Sequence, residues 1–460
     1  MFARALIASL FLLGCGGTEE AETPMNDMGV QRPADMGRPA PRPSNWTTGV
    51  VETGGTGRQP SLAVSPSGQV AAAYFHSKGV TGEVCSEIGD GEDVPNKVNW
   101  TIRYAEMVGM TWSAQTAHEP LLLGQPAGLS LRFSPENVPH IATMTGEPVE
   151  MLVYCGANDV GLLTPGDDGW ELETVVAESD EAASGSAASD FGSVVGYWSG
   201  LGFDRDGHPA IAYRDVHGGG LQGDDLTRAD LEFAWKRDGS WFKTPIDFGE
   251  GAGDYNQVAF DQDGNPLVLY ANPVEQTQAD QLGLWITRST DRGETWEKFR
   301  LLEAKTSEHP SMVVDPNTGT VHVAFSDPGR GKAVVASLAA GSSFDSWSTQ
   351  VLGDNRYLEG EHPSLAIDQN GHLTIAWYRC GRAGVSSTCD PQYDAIVFGW
   401  FVDDEWLYEV IDDGEEGLCG RYPNLVINGE NRPVAVYQCA KRSGDDFEFE
   451  LRFARRAELR

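Results

Sequence analysis

Two tetrapeptides are near copies of each other, Glu308-His309-Pro310-Ser311 and Glu361-His362-Pro363-Ser364, and Arg421-Tyr422-Pro423-Asn424 occupies the next equivalent place. Gln59, Trp198 and Tyr255 fill the same register earlier in the chain, while His76, Arg214, Asp215, Asn272, Asp327 and Arg379 end the apolar runs that follow. Histidine, carboxylate, arginine and aromatic side chains gathered around one funnel have the chemistry to hold a sugar. Aromatic rings stack on its apolar face, and charged groups take its hydroxyls or a carboxylate. Two histidines do not make a metal site. With Glu308 and Glu361 they would offer a divalent ion four ligands, though no cofactor is expected. The structural alternative is that Glu-His-Pro-Ser marks repeat ancestry, with His309 and His362 capping strand starts and Arg421 paired to a nearby carboxylate.

The elements that would position these residues repeat. Seven tryptophans each open a short strand-like run: Trp46, Trp112, Trp170, Trp241, Trp296, Trp347 and Trp406, a mean step of 60 residues. In phase with them run seven apolar segments, Pro60–Val64, Leu129–Phe133, Gly200–Phe203, Gln257–Phe260, Pro310–Val314, Pro363–Ile367 and Pro423–Ile427. Each is followed by a polar turn and a second apolar run, as in Pro209-Ala210-Ile211-Ala212-Tyr213. Small and β-branched residues alternating with polar turns read as strands, and nothing of comparable length has helical period. The expectation is an all-β, seven-bladed β-propeller of four-stranded antiparallel blades over residues 45–460. The last blade lacks its tryptophan strand, and the strand at Trp46 has no blade of its own. Pairing the two closes the ring.

Asp204-Arg205-Asp206-Gly207, Asp261-Gln262-Asp263-Gly264, Asp315-Pro316-Asn317-Thr318-Gly319 and Asp368-Gln369-Asn370-Gly371 fall between the first and second strands of four blades. They look like calcium-loop fragments without the remaining ligands or closing glutamate, so calcium is not expected. Turn chemistry accounts for them: Asp and Asn accept from the turn backbone, and Gly takes positive φ.

Ser289-Thr290-Asp291-Arg292-Gly293-Glu294-Thr295-Trp296 matches the Asp-box pattern in full, and Asp238-Gly239-Ser240-Trp241 and Asp168-Gly169-Trp170 keep remnants of it. On these residues the chain resembles the sialidase-like, Asp-box-containing β-propellers from about Asn45 onward. The resemblance implies that the box is a folding signature in the turn between third and fourth strands, remote from the site. The chain departs from sialidases in its count of seven and in lacking the early Arg-Ile-Pro or Arg-Leu-Pro arginine. Arg58-Gln59-Pro60 is the nearest position. No catalytic residue is carried over.

Met1 to Gly14 holds one arginine, then the apolar run Ala5 to Leu13, then Leu12-Leu13-Gly14-Cys15. A run this short is a signal-peptide core rather than a membrane span. Leu-Leu-Gly-Cys also resembles the bacterial lipobox, which implies lipidation of Cys15 after removal of residues 1–14. No aspartate follows Cys15, which by the same resemblance favours a Gram-negative outer membrane. Residues 15–44, rich in Pro, Gly, Met and acidic groups, read as a disordered tether. Cys85, Cys155, Cys380, Cys389, Cys419 and Cys439 then suit disulfides in an exported protein, with Cys380–Cys389, Cys419–Cys439 and Cys85–Cys155 suggested by proximity alone. A net charge of −35 argues against nucleic acid as a partner. The membrane is met through the lipid, and a monomer is expected.

In a four-stranded meander the short Asp-Gly turns and the Asp box share one face, while the long connections share the other. Loops on a rigid scaffold are where function usually sits. The long-loop face is therefore the candidate, with Glu308, His309, Glu361, His362, Arg421, Tyr422, Arg214, Asp215 and Arg379 as its ligand-binding residues. The first reading is an anchored binding propeller for a glycan or protein. The second is a glycan-active enzyme, a glycosidase or polysaccharide lyase. A glycosidase needs two carboxyl groups about 5 to 9 Å apart across the sugar, and Glu308, Glu361, Asp215 and Asp327 are the candidates.

Overall fold

A computed structural model describes residues 45–80, 85–86, 93–94, 98–123, 128–145, 159–177, 194–216, 229–248, 251–272, 281–305, 309–382, 394–413, 417–443 and 446–457. Cys15, Cys155, Glu308 and Cys389 lie outside these residues, as does the side chain of Cys85.

The described strands form seven four-stranded antiparallel sheets and one short two-stranded ribbon, Cys85–Ser86 with Asp93–Val94. Six blades are simple meanders. The fifth, for example, runs Ser311–Val314, Val321–Asp327, Lys332–Leu338 and Ser348–Val351 from the axis outward. The seventh takes three strands from the end of the chain, Gly417–Ile427, Pro433–Ser443 and Asp446–Arg456, and its outer strand, Trp46–Thr53, from the beginning. Trp46 stands opposite Arg456, and the buried Trp46 indole donates to Glu409 of blade six. The ring therefore closes as the unpaired tryptophan strand requires, which removes two sheet edges.

The core lies between blades. Leu62, Val70, Ala72 and Tyr74 of blade one pack against Val426, Val434 and Val436 of blade seven. Leu267, Leu269 and Ile286 of blade four meet Met312, Val323 and Phe325 of blade five. Small residues on second strands, such as Ala71, Ala72 and Ala73, let neighbouring sheets approach, and each fully buried Leu, Val or Phe among them contributes about 1.5–3 kcal/mol.

A polar belt inside the ring explains the recurring Pro-Ser. The Ser61 hydroxyl accepts from Leu131 N of the next blade at 2.9 Å, Ser311 from Leu365 N at 2.9 Å and Ser364 from Leu425 N at 2.9 Å. Gln257 does the same across blades four and five with both ends of its amide, accepting from Met312 N and donating to Pro310 O, each at 2.7 Å. Asn424 closes the circle by donating to Pro60 O at 2.8 Å. These innermost strands bound a central channel of about 480 Å³.

At one end of the channel the turns behave as their sequences predict. The Asp368 carboxylate accepts from Asn370 N at 2.8 Å and His372 N at 2.7 Å, and Asp204 and Asp261 repeat the pattern. The Asp box links the third and fourth strands of blade four, Gly283–Arg288 and Glu297–Leu302. There Asp291 accepts from Thr295 N at 2.9 Å, and Ser289 Oγ accepts from Gly293 N at 2.7 Å. Its tryptophan packs edge-on against Phe233 of the preceding blade, ring centres 5.2 Å apart.

Candidate functional site

The other end of the same innermost strands is built differently. Five of these strands carry register shifts at their start, between Thr56 and Ser61, Val195 and Gly200, Asp254 and Gln257, Glu359 and Ser364, and Cys419 and Asn424, while those of blades two and five pair regularly. At the shift, or just ahead of the strand in blades two and five, sits one residue in the left-handed region: Gln59, Gly128, Trp198, Tyr255, His309, His362 and Tyr422, one per blade, with φ between 49° and 79°. A bulge re-aims a side chain that a regular strand would leave between sheets. For a Trp, Tyr or His this conformation costs about 1–3 kcal/mol, and such strain persists only where the surroundings impose it. Blade two has no side chain to present. A Cβ at Gly128 would lie 2.2 Å from Trp198 Cα, so the chain crosses there too closely for anything larger.

The five ring-bearing members converge at the channel mouth. Trp198 and Tyr255 meet edge to face at 4.4 Å, His309 lies 5.5 Å from each of them, and Tyr422 lies 5.4 Å from His309 and 4.7 Å from His362. His309 and His362 are 5.8 Å apart. Trp198, Tyr255, His309 and Tyr422 keep part of their surface accessible, and His362 is buried. Gln59 turns aside, its amide oxygen accepting from Gly128 N at 3.0 Å. The result is a crescent of aromatic edges from blades three to seven that narrows the mouth of the channel.

Around this crescent the remaining candidates take distinct places. Arg421 lies over the Tyr378 ring at 5.6 Å, and Tyr378 in turn stacks on His362 at 6.2 Å. Burial first, then the charge of Asp394, pushes the Tyr378 phenol well above its ordinary pKa, so it stays protonated as a donor. Glu361 is half-buried and stands opposite Tyr378 in the sheet. Arg214 is sunk in an ion pair with Asp254, both under a tenth exposed. Burial raises the Asp254 pKa against the opposing pull of Arg214, and Asp254 also takes a hydrogen bond from the Trp198 side chain. Asp215, the next residue on the same strand, is buried. Arg379 lies further out, over the Tyr357 ring at 4.3 Å, with Arg356 at 5.7 Å from the same ring.

Of the carboxylates considered for glycosidic cleavage, Asp327 is held by Arg330 at 3.3 Å in the turn that follows its strand, and Asp215 is buried; Glu308 lies outside the described residues. Asp204, Asp206 and His208 come close enough to share a cation, but they belong to an Asp-Gly turn at the opposite end, where the Asp204 carboxylate already serves backbone N–H groups.

Cys419 and Cys439 are disulfide-bonded directly across their strands, Cα atoms 4.1 Å apart, three residues before Tyr422. Cys380, which follows Arg379, is also disulfide-bonded. The Cys419–Cys439 bridge suggested by proximity is thus present, and it pins the blade that carries Arg421 and Tyr422.

Some of the site could have been read from the sequence. A glycine two residues before the left-handed position recurs as Gly57-Arg58-Gln59, Gly196-Tyr197-Trp198, Gly253-Asp254-Tyr255, Gly360-Glu361-His362 and Gly420-Arg421-Tyr422, each glycine itself at positive φ. That pattern marks the bulge. Asp254, Tyr378 and Asp394 carry no local signal, because their partners come from other strands and other blades.

No protein-family model and no curated protein sequence matches the chain. Among solved structures, a protein of unknown function from Dyadobacter fermentans aligns at 12% identity over 90% of this chain and 99% of that one, with a TM-score of 0.47. The NanB sialidase of Streptococcus pneumoniae aligns at 13% identity over 88% of this chain and 69% of that one, TM-score 0.43. An alpha-L-arabinanase of Penicillium chrysogenum aligns at 16% identity over 80% of this chain and 99% of that one, TM-score 0.46. No residue or activity is transferred from them. The class of the molecule rests on its own sheets: a seven-bladed propeller with an Asp box, closed by its N-terminal strand.

Proposed function

We propose that the chain is an exported lipoprotein, anchored to the cell envelope through Cys15, whose propeller binds a glycan at the bulged end of its channel. One observation carries the ligand class. Five blades hold a Trp, Tyr or His in a strained left-handed conformation, and the five rings converge on one mouth. Rings with accessible edges and faces suit the apolar face of a pyranose, and Arg421, Glu361 and Arg379 around them suit its hydroxyls or a carboxylate. In this reading Arg214 does not touch the ligand. It holds Asp254, which holds Trp198.

The test is a glycan array probed with residues 45–460 and with the His309→Ala/Tyr422→Ala double variant, both shown to be folded by circular dichroism. Binding by the parent and its loss in the variant is the expected result. A blank array with folded parent protein overturns the glycan reading and turns the search to a protein ligand. Anchoring is tested separately by metabolic labelling with a fatty-acid analogue, where incorporation that survives Cys15→Ala refutes it.

A further inference from the structure

The channel below the aromatic crescent contains one feature that ligand binding at the mouth does not use. Arg132, on the innermost strand of blade two, lines the 480 Å³ cavity. Its guanidinium donates one hydrogen bond, to Leu131 O at 2.8 Å, and among the described residues no carboxylate lies within ion-pair distance. Other interior cations of the chain are matched. Arg214 has Asp254, Lys332 has Glu359, Arg456 has Glu409, and Arg452 has Asp412 and Glu450. In a sequence with 68 acidic and 33 basic residues, a carboxylate is the commonest charged neighbour a cation could find, so a lone interior arginine stands out.

Removing a guanidinium from bulk water without a counter-charge is unfavourable. Burial alone lowers the Arg132 pKa, yet an arginine remains charged at neutral pH. Its planar fork matches the two oxygens of a carboxylate or phosphate. Arg132 is partly accessible although it lies inside the ring, because the channel reaches it.

We propose that the central channel is a binding site for a small oxyanion, a carboxylate or a phosphate, held by Arg132. Arg132 is not among the residues proposed for the glycan, although the cavity it lines also reaches Trp198, Tyr255 and His309 at its mouth. The cavity volume limits the ligand to a small molecule or ion, and the remaining guanidinium donors supply its bidentate recognition.

The test is isothermal calorimetry on the full chain in zwitterionic buffer, titrating sodium acetate, sodium phosphate and sodium chloride separately, for the parent, Arg132→Gln and Arg132→Lys. The expected result is one-to-one binding of acetate or phosphate to the parent. Arg132→Gln should weaken it by about tenfold or more, the loss of a bidentate charge-assisted contact, and Arg132→Lys should keep part of it as a point charge. The acetate and phosphate arms decide between the two oxyanion sources. Equal binding by parent and Arg132→Gln, a response to chloride alone, or no heat with any anion overturns the proposal, the last meaning a channel filled by water. If Arg132→Gln does not fold, Arg132→Lys carries the comparison, and a crystal of the parent grown from the binding salt must show the anion against the guanidinium.

Discussion

The two ends of the seven innermost strands have the same ancestry and opposite designs. At the turn end, polar side chains fold back onto their own backbone: Asp204, Asp261, Asp315, Asp368 and Asn428 all accept from N–H groups two to four residues on. The left-handed residues there, Asn137, Asp238, Arg292, Asp403, Asp404 and Asn431, are mostly the Asn and Asp that such turns favour, and none carries an aromatic ring. At the channel mouth the strands bulge, one residue per blade takes a left-handed conformation, and a ring is pushed outward. Two ends of one strand, a few residues apart, thus do the two jobs a propeller needs, closing the hairpin and presenting chemistry. The lesson is that repetition marks the scaffold and deviation marks the site. The turns open on Ser, Asp or Asn and close on Gly or Asn in every blade, whereas the bulge positions read Gln, Gly, Trp, Tyr, His, His and Tyr.

That contrast can be broken at several points. The largest effect is expected where the bulge brings backbones together. Gly360 has φ near 102°, and a Cβ there would lie 2.0 Å from Ala333 N of blade five. Gly360→Ala should destabilise the fold by about 3 kcal/mol or more in denaturant unfolding. A cost below about 1 kcal/mol would show that the bulge relaxes freely and that its geometry is not imposed.

Next in size is the belt beneath the bulge. Ser311→Ala leaves the buried Leu365 N–H without its acceptor, a loss of about 1–3 kcal/mol. Ser364→Ala should cost about the same, because it repeats the contact one blade on. An unchanged midpoint in both variants would mean that the belt is incidental to ring closure.

Smaller again is the turn end. Asp368→Ala removes two backbone hydrogen bonds from a single turn and should cost about 1 kcal/mol, read as a shift in denaturant midpoint with an unchanged slope. A cost as large as that of Gly360→Ala would erase the distinction between the ends.

The smallest effect is a titration. Hydrogen bonds from Thr295, side chain and backbone, hold the Asp291 carboxyl down at about pKa 2 against an ordinary 3.8. Because the unfolded chain binds the proton more tightly between these values, stability from the box is complete above pH 3.8 and is lost as pH falls toward 2. The Thr295 amide resonance should titrate with a midpoint near 2. A midpoint near 3.8 would mean that the Asp-box hydrogen bonds are absent in solution.

Much of the architecture was legible because propeller blades write themselves into local pattern. Seven tryptophans in phase with seven apolar segments required seven blades, and an unpaired strand at each end required the closure that Trp46 and Arg456 make. The Asp-Gly turns were readable because their hydrogen bonds span four residues or fewer. His309, His362 and Tyr422 were legible as equivalent positions, and their convergence follows from the ring. What distinguishes Arg214 from Arg421 was not legible. Arg214 is taken up by Asp254, 40 residues away in the next blade, and Arg421 is oriented by Tyr378 of the preceding one. Charge pairing between blades depends on three-dimensional register that no local spacing encodes. Arg132 escaped notice for the same reason, since a cation is recognised as unmatched only once its surroundings are known.

The most direct measurement compares the two ends of a single strand. With a glycan identified on the array, its affinity would be determined for His362→Ala at the channel mouth and Asp368→Ala at the turn, six residues apart on blade six. The account predicts that His362→Ala weakens binding by about tenfold or more, because the buried His362 ring packs 4.7 Å from the accessible Tyr422 ring and holds it in place. Asp368→Ala should bind as the parent does despite its lower stability. Loss of binding in Asp368→Ala with full binding in His362→Ala would place the ligand at the wrong end and contradict the account.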